Sequence, residues 1–121
     1  MTHLLPAAAI GLFIVAISWM LWGITRAAAN QIAVNSSMGI RLPSLMRDET
    51  AWRAGHRAAQ PTFFWSAVVT TAPATISIFL SENEALYAAF LTVSAVSLTL
   101  GSTLACIEAH RAALGVPPEA D

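Results

Sequence analysis

Three uncharged apolar runs, residues 4–24, 62–80 and 86–107, divide the chain, and polar residues collect between and after them. A bilayer core is about 30 Å thick and takes about 20 helical residues to cross, so each run predicts one membrane-spanning helix. Trp19 and Trp22 fall at the downstream end of the first run, where an aromatic belt sits. Pro61 precedes the second run and suits a first helical turn. Pro73 lies inside that run and predicts a bend, with Thr70, Thr71, Thr75 or Ser77 able to meet the freed carbonyls. In the third run Ser97, Gly101 and Ala105 recur every four residues, a stripe of small side chains that lets helix backbones approach. The pattern predicts an all-α integral membrane protein of three transmembrane helices in a single domain.

The interval 25–61 between the first two runs breaks this pattern. Its first part holds Asn35, Gly39 and Pro43, which predicts a turn with Arg41 set between stiff or special backbone. From about residue 48 to 59 the composition becomes helical, with Asp48 or Ser44 as N-cap and acidic residues in the first turn. A rotation of about 100° per residue puts Glu49, Trp52, Arg53 and His56 on one face, bordered by Arg57. Ala51, Ala54, Gly55 and Ala58 form the opposite, smooth face. The expected element is a short amphipathic cytoplasmic helix between spans 1 and 2.

Composition sharpens the membrane reading. Charged residues make up 11% of the chain, against about 25% in a soluble domain. There is no lysine, and residues 26–60 hold five arginines against Asp48 and Glu49, a net charge of +3. The link between spans 2 and 3 has Glu82 and Glu84 and no base. The positive-inside rule therefore puts the arginine-rich loop in the cytoplasm, the N-terminus outside and the tail 108–121 inside. Gly115, Pro117 and Pro118 predict a poorly ordered tail. A cleaved signal peptide is the rival reading of the first run; its leader lacks a basic residue and its apolar core exceeds the usual length. Cys106 stands alone, so it forms no intramolecular disulfide and reads as an inert buried thiol.

Candidate chemistry lies in residues 35–57. One reading makes the helix an interfacial anchor, with Trp52 at headgroup level and arginines on lipid phosphates. Another makes Arg41, Arg53, His56 and Arg57 a specific site for an anion, a lipid headgroup or a partner peptide. Catalysis would have His56 as base and Glu49 as carboxylate, with no nucleophile to complete a constellation. A metal site would need His56 to meet His110 or Glu108. His3 lies outside and apart. No cofactor, no metal and no direct nucleic-acid contact is expected.

These residues also form a longer motif. Asn35-x-x-x-Gly39-Ile40-Arg41-x-Pro43, followed by Glu49-x-x-Trp52-Arg53-x-x-His56-Arg57, resembles the signature of the SdpI family of small bacterial membrane proteins. Leu42 and Leu45 stand where that family often has threonine, and Arg47 where a small polar residue is common. The resemblance implies a non-enzymatic protein of the bacterial cytoplasmic membrane. The family takes its name from immunity proteins against a secreted peptide toxin, and such members can hold a transcriptional repressor at the membrane. Those members carry further spans upstream, whereas the unit here is the minimal three-span one. The implied site is Asn35, Gly39, Arg41, Pro43, Glu49, Trp52, Arg53, His56 and Arg57, binding a peptide or protein partner. The alternative is an accessory subunit of a transport or cell-envelope complex, or a homo-oligomer, that uses Ser97, Gly101 and Ala105 as a packing surface.

Overall fold

The computed structural model describes residues 4–35 and 37–120, so His3 lies outside the described residues. Among the described residues four helices form: α1 (Leu4–Asn30), a single turn α2 (Pro43–Met46), α3 (Glu49–Phe79) and α4 (Glu84–Leu114). α1, α3 and α4 are long and apolar enough to cross a membrane, which makes the chain an all-helical, multi-pass membrane protein. α3 is the central helix; α1 and α4 pack on its two sides and barely touch each other.

The short polar helix and the second span are one continuous helix. α3 runs through both Pro61 and Pro73. A proline inside a helix removes one hydrogen bond and costs about 3 kcal/mol, yet it does not end a helix held on both sides by packing. The first three turns of α3 therefore project beyond the apolar run that begins at residue 62. They reach the loop end of the bundle, outside the uncharged apolar run, where they carry His56 and Trp52.

Small residues bring α3 and α4 together. Ala51, Ala59, Ala105, Ala109 and Ala113 are fully buried. A Cβ on Gly101 would overlap the Ser66 side chain, and one on Gly55 would lie 3.1 Å from the Ala109 carbonyl. Ser97 is half-buried on the same helix. Gly101 thus lies against Ser66 of α3 inside the molecule, and Ala105 is buried in the same core. The gap over Gly55 is filled by Leu45 of α2, whose Cδ2 occupies the space a Gly55 side chain would need and which is fully buried. That accounts for a leucine at this position: a threonine there would place a hydroxyl in an apolar plug.

Helix ends are capped by side chains. Asp48 accepts from Ala51 N at 2.8 Å, and Asn83 accepts from Leu86 N at 3.1 Å. The Ala51 N–H, and then Arg47 2.7 Å away, hold the Asp48 carboxyl below its ordinary pKa. The tail departs from the disorder its composition suggests. Glu119 Oε1 accepts from Thr50 N at 3.0 Å and from Thr50 Oγ1 at 2.5 Å, and Arg47 donates to the Val116 carbonyl at 3.0 Å. The free N–H groups at the start of α3 attract a carboxylate, and the turn after Gly115 delivers one.

Candidate functional site: a loop clasped onto the start of α3

The loop 31–42 is folded by its own backbone needs. Asn35 Oδ1 accepts from Ser37 N at 2.9 Å and from Met38 N at 2.7 Å, while its amide donates to the Ala33 carbonyl at 2.8 Å. Such Asx bonds substitute for the ladder a loop lacks. Gly39 then takes φ +93°, a left-handed conformation that costs an L side chain about 1–2 kcal/mol. A Cβ there would also sit 2.7 Å from His56 Nε2 and 2.9 Å from Trp52 Cη2. Glycine is required twice over: for the turn, and for contact with two aromatic rings.

α3 supplies the partners for the carbonyls and N–H groups of this loop. His56 Nε2 accepts from Ile40 N at 2.8 Å. An accepting Nε2 carries no proton, so Nδ1 carries it in the neutral ring and donates to the Trp52 carbonyl at 2.8 Å. Trp52 Nε1 donates to the Ile32 carbonyl at 3.0 Å, and its ring centroid is 4.2 Å from that of His56. Glu49 Oε2 accepts from Val34 N at 3.2 Å. Its other oxygen lies 2.8 Å from Arg53 Nη2, an ionic contact without good hydrogen-bond alignment. Arg53 Nη1 reaches the Ala28 carbonyl at 3.4 Å.

Trp52 and His56 are both fully buried. They do not form an open recognition face, and Trp52 is not an interfacial anchor. The helical wheel grouped Glu49, Trp52, Arg53 and His56 on one side of α3, and that side faces the returning loop. The second face, Ala51 and Gly55, faces α2 and α4, so the start of α3 is covered on two sides. Burial pushes the His56 pKa below its ordinary value, against the Trp52 carbonyl, which pulls it up. With both ring nitrogens committed to backbone groups, His56 has none left to act as a base. His110 is given instead to Ser44, 2.7 Å from its hydroxyl, and Glu108 to Thr62. Among the described residues no three metal-ligating side chains gather.

Arg41 and Arg57 remain exposed on the outside of the clasp, and Pro43 starts α2. Residues 39–42 roof a groove of about 430 Å³ between α1 and α4, lined by Leu21, Ile24, Thr25, Phe63, Ser102 and Cys106, with Arg41 in its wall. Ile40, Leu45 and the backbone of Ile32 and Val34 belong to this assembly, although the sequence reading gave none of them a role in the site. Their one signal was an isoleucine between Gly39 and Arg41, an apolar residue where a solvated turn has no need of one.

The clasp and the helices that carry it coincide with a known sequence unit. The family model described as the SdpI/YfhL protein family matches residues 31–103. No curated protein and no solved structure matches the chain. The matched stretch begins where the loop begins, contains every residue of the clasp from Ile32 to His56, and ends within α4. The chain belongs to the SdpI/YfhL protein family.

Proposed function

We propose that this SdpI-family membrane protein works by binding rather than turnover, in immunity or signalling, and captures a peptide or protein partner at its loop end. It sits in the bacterial cytoplasmic membrane with the N-terminus outside and the clasp inside, the side on which five arginines collect. One observation carries the reading: the groove under the clasp joins an apolar floor of Leu21, Ile24 and Phe63 to Arg41 at its wall. That combination suits an apolar segment bearing an acidic group, since a guanidinium pairs a carboxylate through two donors. The clasp supplies rigidity, because a loop already held by Asn35, Glu49, Trp52 and His56 loses little entropy when a partner arrives.

A photo-crosslinking residue at the exposed Met38 position tests this in cells. The expected result is one discrete adduct, identified by mass, that disappears with Arg41→Ala while membrane abundance is unchanged. A diffuse set of adducts indifferent to Arg41 contradicts the proposal.

A further inference from the structure

A second cavity lies between α3 and α1, with lining residues distinct from those of the first. It measures about 410 Å³ and is lined by Trp22, Arg57, Gln60, Pro61, Phe64 and Trp65. Its floor is a continuous aromatic array. Ring centroids are 5.8 Å apart for Trp19–Trp22, 5.8 Å for Trp22–Phe64 and 5.4 Å for Phe64–Trp65, all edge-on. Trp19 Nε1 donates to Thr71 Oγ1 at 3.0 Å, which fixes one end of the array to α3. Trp65 is 63% exposed.

Two guanidiniums stand over this floor. Arg26 lies 5.5 Å from the Trp22 ring centroid, and Arg57 lines the cavity itself without an ion pair or hydrogen bond among the described residues. The level is set by chemistry as well as by the tryptophans. Pro61 has no N–H, so the Arg57 carbonyl four residues earlier loses its helical donor. An acceptor so exposed is poorly placed in hydrocarbon and well placed among headgroups and water.

We infer that this cavity is a binding site for an acidic glycerophospholipid. Its phosphate pairs with Arg57 and Arg26, its headgroup hydroxyls meet the Gln60 amide and the Arg57 carbonyl, and the start of its acyl chain lies on Phe64 and Trp65. The charge of the site matches a phosphodiester. The aromatic floor matches the headgroup–acyl boundary, and no side chain among the described residues neutralises Arg57. A zwitterionic lipid fits the floor but brings its own cation to two others.

The full chain in phosphatidylcholine vesicles tests the assignment, using a minor fraction of brominated phosphatidylglycerol or brominated phosphatidylcholine to quench tryptophan emission. Brominated phosphatidylglycerol is expected to quench Trp22 and Trp65 at several-fold lower mole fraction. Arg57→Gln should weaken that preference about five-fold, the effect of one basic residue at an anionic surface. Arg111→Gln, on α4 and away from the cavity, should leave it intact. A preserved Trp52 indole resonance shows that the Arg57→Gln variant is folded. Equal quenching by both lipids overturns the inference. So do equal losses from Arg57→Gln and Arg111→Gln, which would mean a diffuse surface potential. Abolition of the preference by inorganic phosphate would make the ligand a free anion and overturn it as well.

Discussion

Replacing His56 by alanine isolates the bond that closes the clasp. The substitution removes the acceptor 2.8 Å from Ile40 N, and an unsatisfied buried N–H costs about 1–3 kcal/mol. It also removes a ring 4.2 Å from Trp52, and such aromatic pairs contribute about 0.5–1.5 kcal/mol. The loop should therefore open more easily by about 2–4 kcal/mol, which at 1.4 kcal/mol per tenfold is about thirty- to several-hundred-fold. Amide hydrogen exchange in detergent micelles reads this directly at residues 37–42. Amides inside α4 should change little, since the loss is local. His56→Gln puts a carbonyl oxygen near the place of Nε2 and should restore most of the protection. The reasoning fails if His56→Ala leaves exchange at Ile40 unchanged, or if the glutamine variant exchanges as fast as the alanine one.

Gly39→Ala meets both a φ of +93° and a Cβ contact of 2.7 Å with His56 Nε2; strain and overpacking together should cost about 2–5 kcal/mol. Reduced membrane abundance and rapid exchange at residues 37–42 are expected, with wild-type behaviour as the contrary result. Acid should loosen the clasp. The folded-state His56 pKa lies below about 6.5 because burial disfavours the charged ring, so the open loop takes up the proton first. Clasp stability is then full above about pH 6.5 and falls as pH drops toward the folded-state pKa. The Trp52 indole resonance should titrate there in the native chain and stay flat in His56→Gln. Gly101→Leu drives a side chain into Ser66, which already fills the space where a first side-chain carbon would go, and should lower the thermal midpoint by separating α3 from α4. Val96→Leu, half-exposed toward lipid, should leave the midpoint unchanged.

The three spans were legible because lipid imposes a length and a composition that few other structures meet. The clasp was only half legible. Spacing placed Glu49, Trp52, Arg53 and His56 together, and Gly39 and Pro43 marked a turn, but helical periodicity says which residues share a face and not what lies over it. The cover is backbone from Ile32, Val34 and Ile40, and backbone groups leave no residue-type signal. The same limit explains α3: proline at 61 reads locally as a start, whereas burial of Ala59 and Phe63 on either side of it keeps the helix continuous. The tail was missed because the acceptor need of the first turn of α3 is met by Glu119, about seventy positions from Thr50 in the chain.

The account turns on His56 as a buried acceptor for the loop rather than a ligand-facing group. Nitrogen-15 spectroscopy of the side chain in bilayers tests it most directly, with the His56 signals assigned by their loss in His56→Gln. At neutral pH the account predicts a neutral ring protonated at Nδ1 and bare at Nε2, with the bare nitrogen coupled to the Ile40 N–H. A ring protonated at Nε2, or charged at neutral pH, would contradict it.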